Sequence, residues 1–144
     1  MKKAIALLCA VLFVPACSTY QSVVPDWMPG SGAIKVSLSG AEEVPPVKVP
    51  GSASGSFRVA EDGALSGSVT TKDVQGTMAH IHRGAKGANG PVIVPLDKNG
   101  DTYSVPAGRK LTPQQIEDLK AGNLYVNVHT SRFKGGEVRG QLQP

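Results

Sequence analysis

The residues best suited to metal chemistry are the three histidines of the chain. His80 and His82 are separated by one residue in a segment with the pattern of a β-strand, and His129 lies in a second such segment, 124–129. Side chains on a strand point alternately to its two faces, so Met78, His80 and His82 share one face. His129 lies on the polar face of the second segment. If the two strands are neighbours, three imidazoles converge outside the apolar core.

Convergent imidazoles form a candidate metal site, because imidazole is the commonest metal ligand in proteins. Imidazole nitrogen with a nearby thioether favours copper over calcium or magnesium. We therefore expect copper at His80, His82 and His129, with Met78 as a weak additional ligand. Zinc is the alternative metal, although the sequence shows no fourth protein ligand for a closed structural zinc site.

A second interpretation needs no metal. The histidines would then be polar-face residues that hydrogen-bond to the loops following their strands, and Glu137 and Arg139 would form a cross-strand ion pair. Other chemistries have less support. The glycine-rich segment 84–90 lacks the Gly-Lys-Ser/Thr ending of a phosphate-binding loop and is followed by a strand, so its glycines are interpreted as turn residues. The sequence has no nucleophile elbow, and nothing in it suggests a carboxylate pair for glycoside hydrolysis.

The N-terminus resembles a bacterial lipoprotein signal. A short basic start precedes an apolar stretch, residues 4–14, which is too short to span a bilayer well. Val-Pro-Ala-Cys follows and resembles a lipobox, so residues 1–16 are predicted to be a signal peptide and Cys17 the lipidated residue. Residues 17–32, rich in Pro and Gly, are predicted to be a tether, and 33–144 a single domain. An ordinary secretory signal is the alternative.

Cysteine usage and charge exclude several classes of function. Cys9 lies in the predicted signal peptide and Cys17 would carry lipid, so we expect neither a disulfide nor a thiolate copper site in the domain. Without Lys2 and Lys3, 13 basic and 11 acidic residues leave a net charge of +2. That balance, without a basic run interleaved with aromatics, indicates no nucleic-acid partner.

Hydrophobic patterning predicts an all-β domain with one helix. Ile34, Val36 and Leu38 alternate with polar residues, and a turn at 61–63 joins two further alternating runs into a hairpin. Thr112 and Gln115 have the spacing of a helix capping box. Seven or eight short strands with a single connecting helix indicate an antiparallel β-sandwich. The predicted strands are 34–39, 57–59, 65–70, 77–82, 92–94, 102–105, 124–129 and 137–142.

Four blocks of the sequence, at 38–46, 79–92, 122–130 and 135–142, together resemble the CHRD domain. They read LSGAEEVPP, AHIHRG with the following GPV, GNLYVNVHT and GGEVRGQL. This family is named for chordin and is also widespread in bacterial secreted proteins. The resemblance spans about 34–142 and implies a Greek-key, immunoglobulin-like β-sandwich. Chordin antagonises bone morphogenetic proteins, an activity that has no counterpart in a bacterial lipoprotein.

The His-x-His strand followed by a later strand histidine also looks like the copper half of Cu/Zn superoxide dismutases. That similarity implies His80, His82 and His129 as copper ligands. The chain lacks the dismutases' additional zinc histidines, bridging histidine and internal disulfide, so copper storage, delivery or sensing is favoured over catalysis. The sequence therefore predicts a copper-binding lipoprotein of the cell envelope, at the periplasmic face of the outer membrane or the cell surface. The alternatives are a metal-free protein-interaction module and, less favoured, a copper-only dismutase-like enzyme.

Overall fold

The computed structural model describes residues 32–144, which form nine β-strands, one α-helix and one short 3-10 turn at Gly40–Glu42. The predicted signal peptide, Cys17 and the tether up to residue 31 lie outside this range. Within it, no helix has the length and apolar character needed to cross a bilayer. In chain order the elements are β1 (Ile34–Ser39), β2 (Ser52–Val59), β3 (Leu65–Lys72), β4 (Gly76–Arg83), β5 (Val92–Pro95), β6 (Asp97–Asn99), β7 (Thr102–Ser104), α1 (Pro113–Lys120), β8 (Leu124–Thr130) and β9 (Val138–Leu142).

The strands form one antiparallel sheet in the order β5-β4-β8-β9-β1-β2-β3-β7-β6. Its two halves meet where β9 lies beside β1, and the ladder pair that joins them is Ser39 with Arg139. The apolar faces of both halves contribute to one buried cluster. Because each half has an apolar face to bury, the sheet folds over this cluster as the predicted β-sandwich. The all-β fold class is therefore confirmed.

Alternation along β1 shows how the pattern produces the core. Ile34, Val36 and Leu38 are buried, and the intervening Lys35 and Ser37 are exposed. Each fully buried aliphatic side chain of this kind contributes about 1.5–3 kcal/mol to folding. The predicted alternation of this strand is confirmed.

Strand β8 differs because all seven of its residues are buried. Leu124, Val126 and Val128 face the apolar cluster, as predicted. Tyr125 and His129 lie on the opposite face, which the alternation suggested would be the polar one, yet they are only 2% and 8% exposed. Loops after β4 and β8 cover this outer face, so the protein buries a second, polar layer outside its apolar core.

The predicted helix is confirmed, together with its capping box. The Thr112 hydroxyl accepts a hydrogen bond from the Gln115 N–H, and the Gln115 side chain accepts one from the Thr112 N–H. Gly122, which follows the helix, has a φ of 69°, a conformation that favours glycine at a helix end. Leu119 packs the helix against the core.

Two local predictions were wrong. The second strand was predicted over 57–59 alone, but β2 begins at Ser52 and pairs on both sides. Its Ser/Gly composition suits close packing, since a Cβ at Gly55 would lie 1.9 Å from the Ser68 carbonyl oxygen. Strand β6 was missed, because its residues are polar, exposed and without alternation.

Candidate metal centre

Strands β4 and β8 are antiparallel neighbours, and their pairing brings the three histidines to one face. Met78 lies opposite His129, and His80 lies opposite Asn127. One ring nitrogen from each histidine can be chosen so that all three lie within 4.8 Å of one another. The two histidine strands are therefore neighbours, as a shared site requires, and the three imidazoles form a cluster close enough to bind one metal ion.

Two of the rings are fixed by loop carbonyls. His82 Nδ1 lies 2.9 Å from the Gly90 oxygen, and His129 Nδ1 lies 2.9 Å from the Lys134 oxygen. A carbonyl oxygen only accepts hydrogen bonds, so each Nδ1 carries the proton, and in the neutral ring each Nε2 carries a lone pair and no proton. Metal-bound histidines commonly donate their other ring N–H to a backbone carbonyl in this way.

The third ring completes the cluster. His80 Nδ1 lies 3.0 Å from His129 Nε2. Since Nε2 of His129 carries no proton, Nδ1 of His80 donates this hydrogen bond. His80 is less buried than the other two histidines, which are 7% and 8% exposed, so it lies at the solvent side of the cluster.

Nε2 of His82 is buried and makes no hydrogen bond of normal geometry with any residue between 32 and 144, although the Asn127 side chain lies close to the ring. Leaving a buried polar atom unpaired costs about 1–3 kcal/mol. This lone pair lies on a ring whose other nitrogen is already fixed by Gly90. A bound metal ion would satisfy it, so the residues present fit a metal.

Electrostatics also keep the rings neutral. Burial, together with the neighbouring His129 and His82, lowers the pKa of His80 from 6.5 to about 4. Burial lowers the pKa of His82 as well. At neutral pH both rings are therefore uncharged, with one nitrogen free of a proton, which is the form that binds metal.

Met78 is half exposed and lies on the same face as the cluster. Val92 pairs with His82 across the β4–β5 ladder and is also about half exposed. Among the described residues these are the two exposed large hydrophobic side chains, and both border the histidines. The role of Met78 as a weak ligand stays a prediction.

Sequence patterns did not reveal the residues that surround the histidines. Arg139 is 1% exposed and donates to the Ala85 and Ala88 carbonyls rather than pairing with Glu137. Glu137 instead accepts a hydrogen bond from the Thr130 hydroxyl. The expected cross-strand ion pair was therefore wrong, because the loop after β4 lies over this face and takes the guanidinium.

Glu43 is also part of this buried layer, at 5% exposure. Burial raises its pKa from 4.5 to about 7, opposed by the positive charge of Arg139. Neither Glu43 Oε1 nor Asn127 Oδ1 has a hydrogen-bond partner within residues 32–144. A charged carboxylate is thus poorly supported at this position.

Comparison with known families agrees with this arrangement. The sequence model of the CHRD domain matches residues 34–142, which include every strand described above. The chain belongs to the CHRD domain family. No match was found among curated proteins or among solved structures.

The four sequence blocks that resemble the CHRD domain meet at the histidine face. The first contributes Glu43, and the second contributes His80 and His82. The third contributes the outer face of β8, and the last contributes Arg139. The signal that would have found the missed residues is therefore their position within these blocks, because alternation alone predicts an exposed outer face.

Proposed function

We propose that this CHRD domain binds one copper ion through His80, His82 and His129 in copper handling at the cell envelope. The observation that carries the proposal is the unpaired, buried Nε2 of His82 beside two other imidazoles. When bound, copper would supply a Lewis-acidic and redox-active centre. The histidines would hold it, and Met78 would be a weak additional ligand.

Copper is favoured over zinc by the ligand set. Among divalent ions of the first transition row, Cu²⁺ binds a given nitrogen site most tightly. A closed structural zinc site has four protein ligands, and the described residues gather three His, Cys or acidic side chains here. The exposed thioether of Met78 adds a soft donor that suits copper better than zinc.

The location at the envelope rests on the N-terminal sequence. We propose that the chain is attached to the membrane by lipid on Cys17, at the periplasmic face of the outer membrane or at the cell surface. The lipobox-like Val-Pro-Ala-Cys supports this attachment, and Ser18 supports sorting to the outer membrane.

The test is titration of the purified protein with Cu²⁺ and, separately, with Zn²⁺, followed by native mass spectrometry. We expect one copper per chain, lost in His80→Ala and His129→Ala. Val92→Ala is the matched control, because Val92 is the ladder partner of His82 but offers no ligand atom. If both histidine variants bind copper as tightly as the parent, the assigned site is wrong.

A metal-free interaction module is the second candidate. Exposed Met78 and Val92 beside the histidines favour it, since exposed apolar residues suit a partner surface. It predicts that the parent protein holds no stoichiometric metal at micromolar concentrations. A dismutase-like activity is the third candidate, and absence of superoxide-dependent turnover in a copper-loaded sample would dismiss it.

A further inference from the structure

A stack of three side chains begins at His82, one member of the histidine cluster, and continues through Tyr125 to Arg139. The rings of His82 and Tyr125 are nearly parallel, with an interplanar angle of 3° and centroids 4.7 Å apart. The Arg139 guanidinium lies 3.4 Å from the centroid of the same tyrosine ring. Tyr125 and Arg139 are 2% and 1% exposed, so this stack is shielded from water. Desolvated cation–π and stacking contacts of this kind strongly limit ring movement.

One residue, Gly90, connects the stack to the hydrogen bond that fixes His82. The Gly90 N–H donates to the Tyr125 hydroxyl oxygen at 3.2 Å, and the Gly90 carbonyl accepts from His82 Nδ1 at 2.9 Å. A Cβ at Gly90 would lie 1.7 Å from the Arg83 carbonyl oxygen, so only glycine fits. The tyrosine thus contacts the His82 ring directly and also through Gly90.

Arg139 holds the loop that carries this glycine. Its guanidinium donates to the Ala88 carbonyl at 2.9 Å, the Ala85 carbonyl at 3.1 Å and the Asn89 side chain at 3.4 Å. The loop therefore has a buried charged anchor within two residues of Gly90. Charge-assisted hydrogen bonds are about twice as strong as neutral ones, so this anchor resists displacement of the loop.

We infer that Tyr125, supported by Arg139, is the positioning residue of the metal centre. It keeps His82 in the Nδ1–H tautomer and presents the Nε2 lone pair to the ion. This role deepens the proposed copper function and rests on it. Its direct consequence, the tautomer and orientation of His82, is a property of the protein without metal.

Two substitutions of Tyr125 distinguish the contribution of its ring from that of its hydroxyl group. Tyr125→Phe keeps the stacked ring and loses one hydrogen bond, so we expect a dissociation constant for Cu²⁺ within about threefold of the parent. Tyr125→Leu loses both contacts with the imidazole. Loss of a partner that orients a metal-bound histidine costs about 10–100-fold in affinity, and we expect a weakening of that size. Chelator competition measures both constants.

A second measurement needs no metal. Long-range ¹H–¹⁵N spectra of the metal-free protein report which ring nitrogen of each histidine carries the proton. We expect His82 as Nδ1–H in the parent and in Tyr125→Phe, and a mixture of tautomers in Tyr125→Leu. Tyr103→Leu is the matched control, because Tyr103 is a fully buried tyrosine of the apolar core, on β7 in the other half of the sheet.

The outcomes are distinct. An Nε2–H tautomer of His82 in the parent protein overturns the positioning role, even if Tyr125→Leu fails to fold. Parent-like copper affinity in folded Tyr125→Leu overturns it too, as does an equal loss of affinity in Tyr103→Leu. If the parent binds no copper but the tautomers follow the expected pattern, the copper function fails while the control of His82 by Tyr125 stands.

Discussion

Replacing Glu43 with glutamine should change how the stability of the protein depends on pH. Glu43 is buried in the polar layer, its Oε1 has no hydrogen-bond partner among the described residues, and burial raises its pKa from 4.5 to about 7. The folded protein therefore holds the proton of this carboxyl more tightly than the unfolded chain does. Glutamine resembles the protonated form in shape and lack of charge, but it does not ionise.

The sign and size follow from linkage. A raised folded-state pKa contributes stability that is fully present below about pH 4.5 and is lost as the pH rises through 7. A shift from 4.5 to about 7 corresponds to a total of about 3 kcal/mol, since each pKa unit is worth about 1.4 kcal/mol. Between pH 5 and pH 8, the parent should lose about 2–3 kcal/mol relative to Glu43→Gln.

Urea denaturation at pH 5, 6, 7 and 8 measures this difference as a change in the free energy of unfolding. All other ionisable groups are the same in the two proteins, so their contribution cancels in the comparison. Glu42→Gln is the matched control: it is the adjacent residue, but its side chain is 38% exposed and pairs with Lys86. A parent and a Glu43→Gln variant with parallel pH profiles would refute the argument, because Glu43 would then ionise as it does in the unfolded chain.

Three further predictions concern the metal, the loop and the membrane. Because burial lowers the pKa of His80 to about 4, protons should compete for this ligand only at low pH. Chelator competition at pH 5 should show less than a twofold loss of copper affinity attributable to His80, whereas an ordinary imidazole would lose about thirtyfold. NMR can follow the protonation of His80 over the same pH range. A loss of affinity that begins near pH 6.5, in proportion to that protonation, would contradict this prediction. Gly90→Ala should destabilise the fold by at least about 2 kcal/mol in urea, since its Cβ would overlap the Arg83 carbonyl. Gly135→Ala, where a Cβ meets nothing within 4 Å, should change stability by less than about 0.5 kcal/mol, and equal effects would argue against the steric cause. Cys17→Ala should abolish incorporation of labelled palmitate, and persistent labelling would show another attachment site.

Local pattern was sufficient for much of this fold. Alternation in β1 predicts which residues enter the core, and the Thr112–Gln115 spacing predicts the helix start, because each depends on a few consecutive residues. The shared face of His80 and His82 follows from the same period. The position of His129 beside them depends on strand order, which came from the family resemblance.

The burial of the outer polar layer could not be predicted from local sequence pattern. Tyr125 alternates with apolar residues and so resembles a solvent-facing position, yet the loop after β4 covers it. Glu43 is one of two adjacent acidic residues, and only the fold makes it buried while Glu42 stays near the surface. Such burial results from contacts between segments distant in sequence, for which alternation carries no signal.

Arg139 has a consequence for how the two halves of the sandwich separate. Its backbone forms the ladder pair with Ser39 that joins the halves within residues 32–144, and its side chain anchors the loop beside His82. One residue therefore both joins the two halves of the sheet and supports the histidine cluster. Separation of β9 from β1 would disturb the histidine cluster, so a bound ion would stabilise the pairing of these two strands for as long as it stays bound. Amide hydrogen exchange along β9 and β1 should then slow as metal is added.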